Sequence, residues 1–447
     1  MSYPVTETTP ITYNGPPPPE ADVVVIGGGV IGVCTALFLA RAGQKVVLCE
    51  KGRIAGEQSS RNWGWIRTQG RDPDEVPIMA EAARIWQSFA AETNVDIGLR
   101  QVGVSYLAKS DEDLERFRNW LPTARQNGLD TQVLTRREVA AMAPGLSKSY
   151  FGAMHTASDM RAAPGVAVPA LAGIAAREGA ILVENCAVRT VETTAAEVSA
   201  VITEDGAINT TRVVVAGGAW SSLFLRRHGV NIPQLSVTAS VCATKPLPDI
   251  GSHAAGPGDG LAWVRRDDGG YTIAASGFHE FFPGPDAFRA LRSFIPHLKE
   301  EFASTRFLPL APKGFPDHWM TARKWGADDV TPFEKMRVLN PRPNMGKLRA
   351  AISMFEELFP NLGPVRMAKA WGGMIDTTPD FVPIVDEAPQ INGLFVGTGM
   401  TGHGFGIGPG FGRVLADLVL GKDPGHDLNR FRISRFTDGS PLRLGPR

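Results

Sequence analysis

The stretch VVVIGGGVIGVCTALFLARAGQKVVLCEKG, Val23 to Gly52, decides the fold. Val23 to Ile26 is an unbroken β-branched run, as expected of a strand buried on both faces of a parallel sheet. Gly27, Gly29 and Gly32 follow at G-x-G-x-x-G spacing. The first glycine permits a sharp turn, the second lets backbone approach a pyrophosphate, and the third lets the next helix pack on the strand. Ile31 to Ala42 reads as that helix, closed by Gly43; the N–H groups near Val30 and Ile31 are free for phosphate. A second apolar run, Lys45 to Cys49, ends in Glu50 and Lys51, near the ~20-residue offset at which a carboxylate meets a ribose hydroxyl. Strand, glycines, helix, second strand and acid together predict dinucleotide binding.

The remaining composition sets bounds. A chain of 447 residues implies two domains, or one interrupted by another. Lys+Arg and Asp+Glu balance at 46 each, which argues against a nucleic-acid partner. Cys34, Cys49, Cys186 and Cys242 lie far apart, so neither a disulfide framework nor a metal site is expected, and the protein reads as reduced and cytoplasmic. Residues 1–20 have no apolar signal core and end in Pro16 to Pro19; a disordered, extended tail is expected. No apolar run reaches the ~20 residues of a membrane span. Peripheral membrane contact and a homo-oligomer stay open.

Two further glycine turns separate FAD from NAD. Val213 to Ala216 is another strand-like run, entering Gly217, Gly218, Ala219 and Trp220. Leu394 to Val396 enters a run from Gly397 to Gly412 with glycine at nearly every second position, then Arg413 to Leu420 reads as a helix. So much glycine costs backbone entropy, and a flavin ring lying against the chain is a sufficient reason for it.

With these residues in view, the chain resembles the D-amino-acid oxidase and dehydrogenase superfamily of FAD enzymes, which includes glycine and sarcosine oxidases, from Ala21 to about Phe436. The resemblance also rests on Ser59-Ser60-Arg61-Asn62-Trp63-Gly64-Trp65 and on Trp371 to Asp380. It implies an α/β fold: a Rossmann-like FAD-binding domain of glutathione-reductase type (21–100, 156–235, 366–436) interleaved with an α+β substrate domain on an antiparallel sheet (101–155, 236–365, with an insertion near 308–344). It further implies that Gly27, Gly29 and Gly32 face the pyrophosphate and Glu50 the ribose. Ser59, Ser60 and Arg61, with Asn62, Trp63 and Gly64, would lie against phosphate and flavin. The Val188 backbone would meet adenine, and Gly373, Gly399, Gly402, His403, Gly404 and Phe405 would flank the flavin, His403 through its backbone. No cysteine follows Cys242, so the covalent flavin link of the sarcosine-oxidase branch is not expected and FAD is held noncovalently.

Outside the nucleotide segments, Val102 to Ala108 alternates like a strand, and Leu261 to Val264 with Tyr271 to Ala275 reads as a hairpin. Asp72 to Thr93 reads as a helix that buries Trp86 in the core. The segment from Leu308 to Asn344 reads as a solvated loop anchored by tryptophans. The carboxylate-gripping arginine of D-amino-acid oxidases is missing at Gly373-Met374-Ile375-Asp376. Arg67 replaces it as the expected clamp, with Tyr271, His279, Trp371 and Asp376 lining the pocket; Asp376 suggests a second amine on the substrate. The expected reaction is oxidation of the C–N bond of an amino acid or N-substituted amino acid by hydride transfer to flavin N5, giving an imine that hydrolyses. No lysine stands in Gly270 to Ala274, which favours a dehydrogenase using a quinone or carrier over O2. An aromatic hydroxylase and a noncatalytic flavin-binding subunit are the alternatives.

Overall fold

The computed structural model describes residues 4–251, 254–256, 260–302 and 304–445. Its first layer is a six-stranded sheet ordered Ile384–Glu387, Leu394–Thr398, Val213–Val215, Val23–Ile26, Val46–Glu50, Ile181–Glu184. Every pair is parallel except the first. All three valines of Val23–Ile26 are fully buried, as a strand covered on both faces requires. The three glycine turns leave the carboxyl ends of three neighbouring strands, because Ile26 stands opposite Val215 and Val215 opposite Val396. Chain order reverses direction across Val23–Ile26, and such a switch point opens a crevice for ligand.

The second layer is a ten-stranded sheet centred on Leu235–Thr244, which pairs with Met367–Thr377 and Tyr271–Ala275. The expected hairpin is present, with Leu261 opposite Ala275 and Arg265 opposite Tyr271. The sheet is mostly antiparallel; Ala254–Gly256 beside Val104–Ala108 and His279–Phe281 beside Thr305–Phe307 are parallel pairs. The helix Met345–Leu358 covers its outer face through Leu348, Ile352 and Phe355. The helix Asp111–Gln126, capped by Ser110, covers its edge.

Three expectations need correction. The glycine run is not a loop: the last helix spans Gly404–Val419, nine residues longer toward the N-terminus than its apolar pattern suggested. Its glycines are there for packing. A Cβ on Gly408 would lie 2.7 Å from Val30, and one on Gly412 would collide with Cys34, so this face sits on the first helix, Val30–Arg41. Gly406 and Gly410, one turn apart on the other side, face Ile66 of the strand Trp65–Ile66, 3.1 Å from a Cβ, and Ile78 of the helix Val76–Glu92, 2.7 Å from one. Small residues at i and i+4 on two faces let one helix seat against two neighbours at backbone distance. Trp86 closes that contact by donating its indole N–H to Gly406 O at 2.8 Å, and it is buried as expected.

Residues 4–20 are likewise not a free tail; residues 1–3 lie outside the described residues. Val5 is buried and donates to Ser60 Oγ, while Thr12 and Tyr13 N–H groups donate to the Glu184 carboxylate. Partnered backbone holds the segment in spite of its prolines. Finally, the 308–344 segment is docked on the nucleotide layer. Trp325 is buried and donates to Arg189 O, Glu334 pairs with Arg189, and Arg337 pairs with Glu204. Leu310, Trp319, Met320 and Val330 are exposed.

Candidate functional site

A cavity of about 1100 Å³ opens between the two layers. Gly27, Gly29, Val30 and Ile31 line one end with Glu50, Lys51 and Val188. Gly27 has φ +110°, and a Cβ there would lie 2.5 Å from Ala216 O, so the first and second glycine turns meet where no side chain fits. The first helix begins at Val30 and its N-cap, Gly29, has no side chain to cap it; instead Val30 N–H donates to Ser59 Oγ at 2.9 Å. The remaining N–H groups and the helix dipole face the cavity. Glu50 is aimed by Gly28 and Gly52 N–H groups at 2.7 Å each, and burial pushes its carboxyl pKa up against those donors.

The middle of the cavity is lined by Ser59, Arg61, Asn62 and Trp63 on one side and by Gly217, Ala219, Trp220, Gly373, Gly402, His403, Gly404 and Phe405 on the other. Here the last helix also starts without a side-chain cap, at His403, so a second helix N-terminus points inward. Burial, with Arg67 and Arg71 nearby, pushes the His403 imidazole well below its usual pKa, so it is neutral at pH 7. The roof is the ten-stranded sheet, whose alternate residues Val237, Ala239 and Val241 present small apolar surface to the cavity. Arg67 stands beyond, over the Tyr106 ring, and forms no ion pair with a carboxylate among the described residues.

Several expected site residues lie elsewhere. Gly32 packs the first helix against Gly27 O, Gly64 lies against Ala162 O, and Gly399, at φ +71°, turns the chain beside Thr378. Ser60 is held by Val5, outside the lining. Arg61 spends its N–H groups on Val5, Gly56 and Gly372 carbonyls and Asn340 Oδ1, and Lys51 is held by Glu57 and the Met336 carbonyl. Both line the cavity with their charged groups already partnered.

Tyr271 and Trp371 do not line the pocket. Tyr271 belongs to the opposite face of its strand, fully buried against Phe355, and Trp371 is buried with its indole N–H on Arg61 O. Asp376 borders the cavity, but its Oδ2 accepts from Gln234 Nε2 and Gly399 N–H, both at 2.8 Å. It is a buried brace between the layers, and its geometry removes the reason for a second amine on the substrate. His279 lines the cavity at its far side. The sequence reading missed Trp65, Tyr106, Phe117, Trp120 and Met154, which line the arm beyond Arg67. The cap signal Ser110-Asp111-Glu112-Asp113 marked the helix that carries two of them.

Residues 22–418 match the family model of FAD dependent oxidoreductases, DAO. The chain belongs to this family. Among solved structures, that of L-amino acid deaminase from Proteus myxofaciens in complex with anthranilate superposes with a TM-score of 0.91 at 28% identity, covering 98% of this chain and all of that one. Glycine oxidase from Geobacillus kaustophilus is 25% identical over 423 residues, 93% of this chain and 97% of its own. Mouse mitochondrial sarcosine dehydrogenase is 25% identical over 435 residues; the match covers 94% of this chain but only 42% of that protein. Family members are FAD-dependent amine and amino acid oxidoreductases, and FAD is the cofactor of this chain. The cavity fits it: two helix N-termini whose own N-cap residues supply no side-chain cap line it, the acid Glu50 is oriented at one end, and a glycine cradle meets where a single Cβ would collide. Among the described residues no group of acids, histidines and cysteines could hold a metal, and no helix is long and apolar enough to cross a membrane.

Proposed function

We propose that this chain oxidises the C–N bond of an amino acid or N-substituted amino acid to an imine that water then hydrolyses. The observation that carries this reading is one continuous cavity joining the glycine turns to Arg67, a guanidinium with no carboxylate ion-pair partner among the described residues. Bound FAD supplies the two-electron oxidation of the carbon bearing the nitrogen. The protein's own work is to bind, orient and desolvate. Arg67 takes the carboxylate through paired charge-assisted hydrogen bonds. Arg67 and Arg71 together disfavour a further positive charge nearby, so a bound amine loses its proton more readily and presents the neutral form. The Val237, Ala239 and Val241 wall keeps water from the reacting carbon. The N-terminus of Gly404–Val419 offers its partial positive charge where negative charge gathers on the oxidant.

The relatives bear names of both oxidases and dehydrogenases. The strand Tyr271–Ala275 faces the cavity with alanine and carries no lysine, which favours a dehydrogenase passing electrons to a quinone or carrier. Anaerobic mixing with a panel of amino acids and secondary amines tests the proposal: loss of the visible flavin band with at least one of them is expected, and a flavin that none of them bleaches would overturn it. Peroxide formed in stoichiometric amounts in air would reverse the choice of acceptor.

A further inference from the structure

The cavity does not end at Arg67. Beyond it lies an arm that no nucleotide-binding residue reaches, formed where the strands Val104–Ala108 and Gly152–Thr156 meet the helix Asp111–Gln126. Tyr106 and Met154 stand directly opposite each other across the strand pair, on one face. Phe117 and Trp120, at i and i+3, bring the helix down over that face. Trp120 is fixed there by its indole N–H, which donates to Arg71 O at 3.1 Å.

Gly70 locates this arm against the clamp. A Cβ on Gly70 would lie 3.3 Å from the Tyr106 ring, 3.6 Å from Arg67 Nη1 and 3.6 Å from Met154 Cε. The guanidinium and the apolar recess therefore border one small space, which the glycine keeps open. On the other side Arg71 donates to His403 O, so the same loop touches the start of the flavin-side helix. Trp65 also lines this part of the cavity, and its indole N–H is buried without a hydrogen-bond partner. A buried donor left unpaired is costly, and a ligand oxygen would satisfy it.

From this arrangement we infer that the recess formed by Tyr106, Met154, Phe117 and Trp120 holds the substrate's side chain. The substrate class is an amino acid with a large apolar or aromatic substituent; Arg67 grips its carboxylate and Trp65 N–H meets a substrate oxygen. The inference rests on the reading of the site given above and adds the substituent to it. Small substrates leave the recess wet, whereas a phenyl or branched aliphatic group gains from leaving water. Lys109, Arg116 and Asp113 also line the cavity, Arg116 being paired with Asp113 at 2.7 Å.

Phenylacetate and acetate separate the recess from the chemistry, because both offer a carboxylate and neither offers an amine. Each is titrated into the FAD-loaded protein while the flavin visible spectrum is followed. Phenylacetate should bind at least tenfold more tightly than acetate. Met154→Trp, which fills the recess, should erase that preference; Phe117→Ala should reduce it severalfold. Equal affinities for the two acids, or a preference that both variants keep, would overturn the inference. A protein that shows the preference yet is bleached by no amine keeps the recess and loses the proposed reaction. One that is bleached by glycine or sarcosine yet shows no preference does the reverse.

Discussion

The Arg67 guanidinium lies 5.3 Å from the centroid of the Tyr106 ring and donates to the Gln69 carbonyl, so its position is set by stacking and backbone, and among the described residues it forms no ion pair with a carboxylate. A cation held in this way is available to an anionic ligand. Arg67→Ala should raise KM for a carboxylate substrate roughly ten- to hundredfold, the size of a lost charge-assisted hydrogen bond, and leave the flavin-to-protein absorbance ratio unchanged. An unaltered KM would take Arg67 out of the binding site.

Asp376 tests the opposite role. Its Oδ2 joins Gln234 of one segment to Gly399 of another within the core. Asp376→Ala strands the Gly399 N–H, while Gln234 keeps Thr398 Oγ1 and the Gly218 carbonyl, and should cost about 2 kcal/mol of stability in urea denaturation. The order of preference among neutral and basic amino acids should not change. A shift of that order would show that the carboxylate reads substrate.

Gly27→Ala places a methyl 2.5 Å from Ala216 O on a backbone with φ +110°. FAD affinity should fall at least tenfold, read by flavin fluorescence on titrating the apoprotein. Gly412→Ala, which collides with Cys34 far from the phosphate turn, should lower stability by about 2 kcal/mol. In that variant FAD affinity should fall much less.

Asp159 predicts a pH dependence. Oδ1 accepts from Thr68 N–H and Oγ, Oδ2 is buried without a partner, and burial pushes the carboxyl up to about 7. The folded chain therefore keeps this proton through a range in which the unfolded chain, with its pKa at roughly 3.9, has released it. Stability falls as pH rises between those two values. Asp159→Asn removes this titration, so the melting temperature of the native protein should drop relative to that of the variant from pH 4 to pH 7.5. Parallel curves would show that Asp159 is ionised throughout.

The nucleotide layer was largely legible in the sequence. Val23–Ile26 and Val46–Glu50 are continuous apolar runs bounded by glycine or acid, and covalent spacing fixes what each glycine must do. The long glycine run was misread because glycine opposes helix formation, and only contact with two neighbouring helices overrides that tendency. Tyr271 was placed on the wrong side for a different reason. Alternation in Tyr271–Ala275 separates two faces but does not say which one a helix covers; Met345–Leu358, seventy residues on, decides it. The recess beyond Arg67 was missed because Tyr106, Phe117, Trp120 and Met154 look like ordinary core positions, and pairing of distant segments alone gathers them.

The glycine faces of Gly404–Val419 carry a mechanical consequence. A helix seated this closely on two sides, with Phe405 packed on Trp86 and Phe411 on Phe431 beside its glycines, has little room to slide or roll. The floor of the chamber is thus a rigid anvil. Whatever breathing admits a reactant and lets a product out must come from the opposite wall and from the helix Asp111–Gln126 at its rim.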